Sequence, residues 1–353
     1  MILNVVKIFL PTVLTFTIGI AITPWLTSYM YTHKLWKKRV RSENNGITNA
    51  DFVSIHNASD EVSTPRLGGV IIWLSVLIAI ALMWIISRVV PSDLSAKLDF
   101  FSKSQTLVPL ASLLLGSSIG LIDDFVQIKG EGLMAQDGIG YRYLKIATIL
   151  VIGIIIGIWF YFKLGMTAIA IPFTMSILPL GVFFIPFFII VMVATYSTSV
   201  IDGLDGLAGG VLAIIFASYA AIAFGKNQID IAAFCGVVSG GILAFLWFNI
   251  PPARFYMGET GIVGLTVLLT VVAFLTDTVL LLPLIAFPLV ATTLSVIIQV
   301  ISYNCFGKRR VFKIAPLHHH FRALGWSREK VVMRYWVVSV ICAIAGIVLA
   351  FVS

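Results

Sequence analysis

Five acidic residues stand out because this chain offers so few charges. Asp123 and Asp124 end an apolar run in GLIDDF; Asp202 and Asp205 sit in VIDGLDGLAGG, and Glu259 in FYMGETG. None has a Lys or Arg beside it in sequence. Clustered carboxylates repel one another unless a cation or proton offsets them. An oxygen-rich group suits Mg²⁺, which commonly takes one or two carboxylates together with substrate phosphates. The spacing of Asp202 and Asp205 puts both on one face if that segment is helical. Taken singly, each acid has a plain alternative as a helix cap or solvated loop residue. Five at one membrane boundary favour a functional cluster.

Glycines accompany the acids. Gly203, Gly206, Gly209, Gly210, Gly258 and Gly261 lie in DGLDGLAGG and MGETG, at the starts of apolar runs. Glycine permits close backbone approach, and helix N-termini attract phosphate. Small residues also let membrane helices pack tightly, which suits Gly209 and Gly210 better than the glycines flanking the acids. A third signal is APLHHHF, with His318, His319 and His320 in the most basic loop. Three successive histidines cannot share one direction on a helix or strand, whereas an extended loop presents two of them to a phosphate or an acid. Zinc is disfavoured, because no Cys or acid sits at a familiar ligand spacing. Contact with phosphate or nucleotide oxygens fits His, Lys and Arg better.

The elements that position these residues are membrane spans. Apolar residues make up 59% of the 353 and charged residues 11%, against roughly 25% charged in a soluble domain. The net charge of +8 points to loop cations near anionic lipid and not to nucleic acid. Cys235, Cys305 and Cys342 are expected as free thiols. The first apolar run has only Lys7 before it and no convincing cleavage site, so a retained first helix is expected rather than a signal peptide.

Apolar stretches of spanning length fall near 5–30, 69–88, 106–122, 144–163, 176–196, 204–224, 230–248, 261–276, 279–303 and 333–352. The expectation is an all-α integral membrane protein of about ten transmembrane helices, one domain over 1–353. The stretch 261–276 is the shortest, and Pro283 and Pro288 should kink the ninth. With the N-terminus outside, the odd-numbered loops hold 18 of the 24 basic residues, among them Lys34, Lys38, Arg39, Arg41, Arg66, Lys145, Arg254 and Arg309. The other side keeps Lys7, Arg88, Lys97, Lys103, Lys163 and Lys226. This positive-inside bias places both termini outside and all five acids at the cytoplasmic face.

STPRLGG (63–69), GLIDDF, DGLDGLAGG, FLWFNIPPARFYMGETG and PLHHHF together resemble the polyprenyl-phosphate N-acetylhexosamine-1-phosphate transferases. The likeness spans nearly the whole chain, with the motifs in the family's order. The tail PLHHHFRALGWSREKVVMRYW is most similar to the branch that takes a muramoyl-pentapeptide donor, while STPRLGG leans toward the branch that transfers N-acetylglucosamine phosphate. The resemblance implies Mg²⁺-dependent transfer from UDP-N-acetylmuramoyl-pentapeptide to undecaprenyl phosphate, releasing UMP, in peptidoglycan synthesis at the bacterial inner membrane. A homodimer is expected on the resemblance alone.

The resemblance also assigns roles. Asp123 and Asp124 match the acid pair implicated in activating the lipid phosphate, and Asp202 a catalytic, metal-proximal acid. Asp205 and Asn249 match nucleotide-site residues, Tyr256 an aromatic on uracil, and Lys145 a basic residue after the acid pair. His318, His319 and His320 match the histidine motif near the donor. Several positions depart from the pattern. Glu259 stands where the family has an Asp metal ligand, Tyr196 and Ser199 where it has asparagines, and Ile262 where it has Ser. The basic residue expected after His56 is missing; Asn57 to Glu61 follow instead.

Two rival readings have different signatures. An N-acetylglucosamine-phosphate transferase would differ in donor alone. A transporter or lipid flippase would keep its acids near the bilayer midplane, often within inverted repeats; here they sit at span ends and no repeat is visible.

Overall fold

The computed structural model describes residues 2–37, 63–101, 104–129, 139–172, 174 and 176–352. Lys38, Arg39, Arg41, Lys103 and the His56–Glu61 stretch lie outside the described residues.

Among the described residues, ten helical segments are long and apolar enough to cross a membrane, as the spacing of apolar runs predicts. They contain α1 (Ile2–Thr32), α2 (Gly69–Val89), α4 (Ser104–Lys129), α5 (Ile139–Lys163), α6 (Phe184–Ser197, which spans only with its flanking 3₁₀ turns, as Gly181–Ile201), α7 (Leu207–Gly225), α8 (Ile229–Asn249), α9 (Gly258–Leu275), α11 (Phe287–Cys305) and α13 (Arg328–Val352). Short helices α3 (Asp93–Leu98), α10 (Leu282–Ile285) and α12 (Leu317–Ala323) fill connections. Such a chain is a multi-pass membrane protein, because the apolar faces of α1, α11 and α13 remain uncovered and only lipid solvates them. Helices α7, α8 and α9 are buried almost all round, as expected of helices apolar on every face. One buried apolar cluster joins Ile8 of α1 to Ala350 of α13.

Three expectations need correction. The fold is not purely α: β1 (Ala168–Ile171) and β2 (Ser176–Pro179) pair antiparallel, Ala168 opposite Pro179 and Ile171 opposite Ser176. The fifth span therefore begins at the 3₁₀ turn Gly181–Phe183 and not at 176. A short apolar run reads the same for a strand and a buried helix. The ninth run is broken rather than kinked. A 3₁₀ turn, Val279–Leu281, leads into α10, and α11 restarts at Phe287. Pro283 and Pro288 each occupy one of the first two positions of their helix, where the missing N–H is no loss. Finally, the 202–206 segment is a turn and not a helix, so the shared-face argument for Asp202 and Asp205 does not hold.

The pairing that matters most to function is α4 with α9, the most extensive helix contact in the molecule. A Cβ at Gly116 would lie 2.9 Å from Gly264 Cα, and one at Gly120 would collide with the Glu259 carbonyl. Backbone meets backbone here, as small residues allow in membranes. The last turns of α4 are thereby pressed against the first turn of α9.

Candidate active site

The start of α9 organises the site. A helix N-terminus leaves its first N–H groups without intrahelical partners, and Asp124 of α4 supplies them from across the interface. Its Oδ1 accepts from Glu259 N at 3.1 Å and its Oδ2 from Thr260 N at 2.9 Å. Asp124 is fully buried, so a charge-assisted cap at the positive end of the helix suits it. Gly258 precedes this turn with φ +69, and a side chain there would strike the Arg66 carbonyl and Asp124. Only glycine meets both demands.

Asp123 faces differently. Its Oδ2 lies 2.6 Å from Lys145 Nζ and accepts from Gln127 Nε2 at 2.9 Å. Its buried Oδ1 has no hydrogen-bond partner. Lys145, at the start of α5, also reaches Glu259 Oε1 at 3.1 Å. The acids without a cation beside them in sequence thus share one in space. Tyr196, at the end of α6, lies within reach of the charges of Glu259, Lys145 and Asp123.

Two loops are strapped to this core. In STPRLGG, Gly68 N and Gly69 N donate to the Tyr256 and Met257 carbonyls at 2.9 and 2.8 Å, and Tyr256 N returns a 2.7 Å bond to Pro65 O. The turn 202–206 is held by Asn249, whose Oδ1 accepts from Gly206 N at 2.8 Å while its Nδ2 donates to Phe255 O at 2.8 Å. Both functions of this buried amide serve backbone. Asp205 Oδ2 accepts from Ala253 N at 3.3 Å. Tyr256 is half-buried with its main chain fixed at both ends.

The histidines close the site from α12, correcting the expectation of an extended loop. Ser295 Oγ accepts from Leu317 N at 2.9 Å, and Gln299 bonds Val311 and Phe312, so α11 anchors the helix and its lead-in. A side chain at Gly203 would collide with His318 Nε2 and crowd His319 Nε2 at 3.3 Å. His318 and His319 therefore pack on the Asp202–Gly203 turn. His320 turns away, accepting from Lys313 N at 3.2 Å through Nδ1 and resting its ring against Phe312. His318 is fully buried, and neither ring nitrogen has a hydrogen-bond partner. Burial, and then the neighbouring His319, hold its pKa well below the ordinary histidine value, so the ring is neutral.

Asp202 is exposed to solvent though surrounded by protein. Those surroundings push its carboxyl up to about 7, against the pull of Arg66; Glu259 and Asp205 push it further, and the Gly258 N–H bond opposes them. Arg66, placed by the sequence only as a loop cation, acts on both Asp124 and Asp202, and its buried Nε lacks a partner. Its position inside STPRLGG was the available signal. The structure thus gathers Asp123, Asp124, Lys145, Asp202, Glu259, His318 and His319; Asn249 and Asp205 brace the loops, and His320 lies aside.

No group of three or more His, Cys, Asp or Glu poised for a metal occurs among the described residues. Mg²⁺ does not require one, since substrate phosphates and water complete its shell. An exposed carboxylate among like charges, as at Asp202, fits such an ion.

A sequence profile described as Glycosyl transferase family 4 matches residues 106–277. The chain is 37% identical over 289 residues to a phospho-N-acetylmuramoyl-pentapeptide-transferase of Anoxybacillus flavithermus, covering 80% of this chain and 83% of that protein. It is 34% identical over 343 residues to one from Thermoanaerobacter sp. strain X514, covering 95% and 96%, and 34% identical over 307 residues to one from Borrelia turicatae, covering 82% of each.

Proposed function

Since the chain belongs to the phospho-N-acetylmuramoyl-pentapeptide transferase family, we propose that it moves phospho-N-acetylmuramoyl-pentapeptide from its UDP carrier onto undecaprenyl phosphate. The reaction takes place at the cytoplasmic face of a bacterial inner membrane. The observation that carries the reading is the convergence of Asp123, Lys145, Asp202, Glu259 and His318 from five chain segments onto one end of an apolar bundle. A polyprenyl tail stays in lipid, so its phosphate meets a water-soluble nucleotide only at such an end.

An oxygen of the lipid phosphate attacks the sugar-side phosphorus of the donor. A new P–O bond forms to the lipid phosphate, the bond to UMP breaks, and UMP departs with that electron pair. Phosphoryl transfer of this kind needs in-line placement and charge stabilisation more than covalent help. Asp123 Oδ1 is the acceptor-side group: unpartnered and buried, it takes the proton of a protonated lipid phosphate or fixes its orientation. Lys145, held between Asp123 and Glu259, supplies fixed positive charge to phosphate oxygens. Neutral His318 and the adjacent His319 offer ring nitrogens to the donor diphosphate. Asp202 would hold Mg²⁺, which would supply positive charge to offset that developing on departing UMP. Asp124 fixes the start of α9 and Asn249 holds the 202–206 turn against Phe255.

The test is transfer to undecaprenyl phosphate by the purified protein, with and without Mg²⁺, offered UDP-N-acetylmuramoyl-pentapeptide or UDP-N-acetylglucosamine. Mg²⁺-dependent lipid product from the first donor is expected. Product from the second alone would move the chain to the sister reaction, and none from either would refute the reading. Cross-linking in native membranes tests the homodimer expected of the family.

A further inference from the structure

Glu259 stands where the resemblance calls for a shorter carboxylate that ligates the metal, and the structure gives it another occupation. Its Oε1 lies 3.1 Å from Lys145 Nζ, and the same ammonium lies 2.6 Å from Asp123 Oδ2. The three charges come from three helices, α9, α5 and α4. All three side chains are less than a quarter exposed, so the contacts are poorly screened. The reach depends on length. Shortening Glu259 by one methylene withdraws the carboxylate by ~1.5 Å, which opens the 3.1 Å contact beyond the range of an ion pair. A dication on Glu259 would have to displace the ammonium or lie against it. Asp202 differs: it is exposed, receives the Gly258 N–H, and forms no salt bridge among the described residues.

We infer that Glu259 is a positioning residue that clamps Lys145 against Asp123, and that the divalent cation is held from the Asp202 side without Glu259 as a ligand. The inference rests on the metal-dependent transfer proposed above and reverses the role expected for this position. The longer side chain is then the functional choice, because an aspartate at 259 does not reach the lysine.

The test separates cation uptake from turnover. Mn²⁺ binding to the full-length protein in detergent, with UMP present, is read by electron paramagnetic resonance for the wild type, Glu259→Gln, Lys145→Gln and Asp202→Asn. Glu259→Gln is expected to keep its Mn²⁺ dissociation constant within about threefold of wild type, and Asp202→Asn to weaken it more than about tenfold. Lys145→Gln, which removes the ammonium without touching either acid, should leave uptake intact or tighten it. In the transfer assay, Glu259→Gln and Glu259→Asp should both lower kcat with little change in the Mg²⁺ concentration giving half-maximal rate. Loss of Mn²⁺ in Glu259→Gln matching that in Asp202→Asn would overturn the assignment. So would a faster Glu259→Asp enzyme, or a wild type that takes up no Mn²⁺. Uptake as predicted in a protein that makes no lipid product would instead refute the proposed reaction and leave this assignment standing.

Discussion

The two ends of the bundle treat buried polar groups differently. At the end bearing the β-hairpin, most polar groups close on the protein itself, with Gln228 Oε1 an exception. Lys7 of α1 pairs with Asp230 of α8 at 2.6 Å, Lys226 caps the end of α9 through Thr276 O at 2.8 Å, and Gln228 bonds Leu275 O. Asp277 accepts from Ala170 N of the hairpin. At the other end, Asp123 Oδ1, Arg66 Nε and both nitrogens of His318 are left without partners, and Asp202 is exposed. Buried polar groups are ordinarily satisfied because leaving them bare costs free energy. The denser cluster of exceptions at one end marks where another molecule supplies the missing bonds, while the better-satisfied end is framework.

That contrast predicts different losses at the two ends. Asp202→Asn should lower transfer by about a thousandfold or more, the scale of losing an electrostatic contact to developing charge, while the protein still purifies folded. Lys145→Met should be damaging twice over. It removes charge needed for transfer, roughly a hundredfold, and strands Asp123 and Glu259, costing about 2 kcal/mol in denaturation because the trio is partly exposed.

Lys7→Met, at the framework end, should destabilise by about 3 kcal/mol yet leave turnover per folded molecule unchanged. The Lys7→Met, Asp230→Leu pair should recover most of that stability, as measured by thermal unfolding in the same detergent. Asn249→Ala should cost about 2 kcal/mol by baring Gly206 N–H and Phe255 O. The smallest effect concerns pH. The surroundings of Asp202 push its carboxyl up to about 7, so protonation competes with ionisation in that range. Cation binding needs the ionised form. Mg²⁺ should therefore raise the unfolding temperature more at about pH 8 than at about pH 6, and Asp202→Asn should erase the difference.

How much of this could be read beforehand depends on the range of the interactions. The ten spans were visible because lipid imposes a length and a composition on each segment separately. The β1–β2 hairpin and the break at Ala286 were not, since short apolar runs carry no period that separates strand from helix. The acids stand out in the sequence by their scarcity, but their partners do not. Lys145 lies 114 residues from Glu259, and Asp124 caps a helix 135 residues away. Packing of α4 on α9 through Gly116, Gly120 and Gly264 brings Asp124 to the start of α9, and Lys145 arrives from a third helix, α5. The histidine motif was read as one unit, whereas the helical geometry of α12 sends His320 away from the turn that His318 and His319 cover.

The most direct measurement is formation of lipid-linked product from UDP-N-acetylmuramoyl-pentapeptide and undecaprenyl phosphate, per mole of folded protein, for wild type, Asp202→Asn and Lys7→Met side by side. Turnover by the wild type and Lys7→Met at equal rates, with none detectable from Asp202→Asn, is the predicted result. Wild-type turnover in Asp202→Asn, or its loss in folded Lys7→Met, would contradict the division of the molecule into a working end and a framework end.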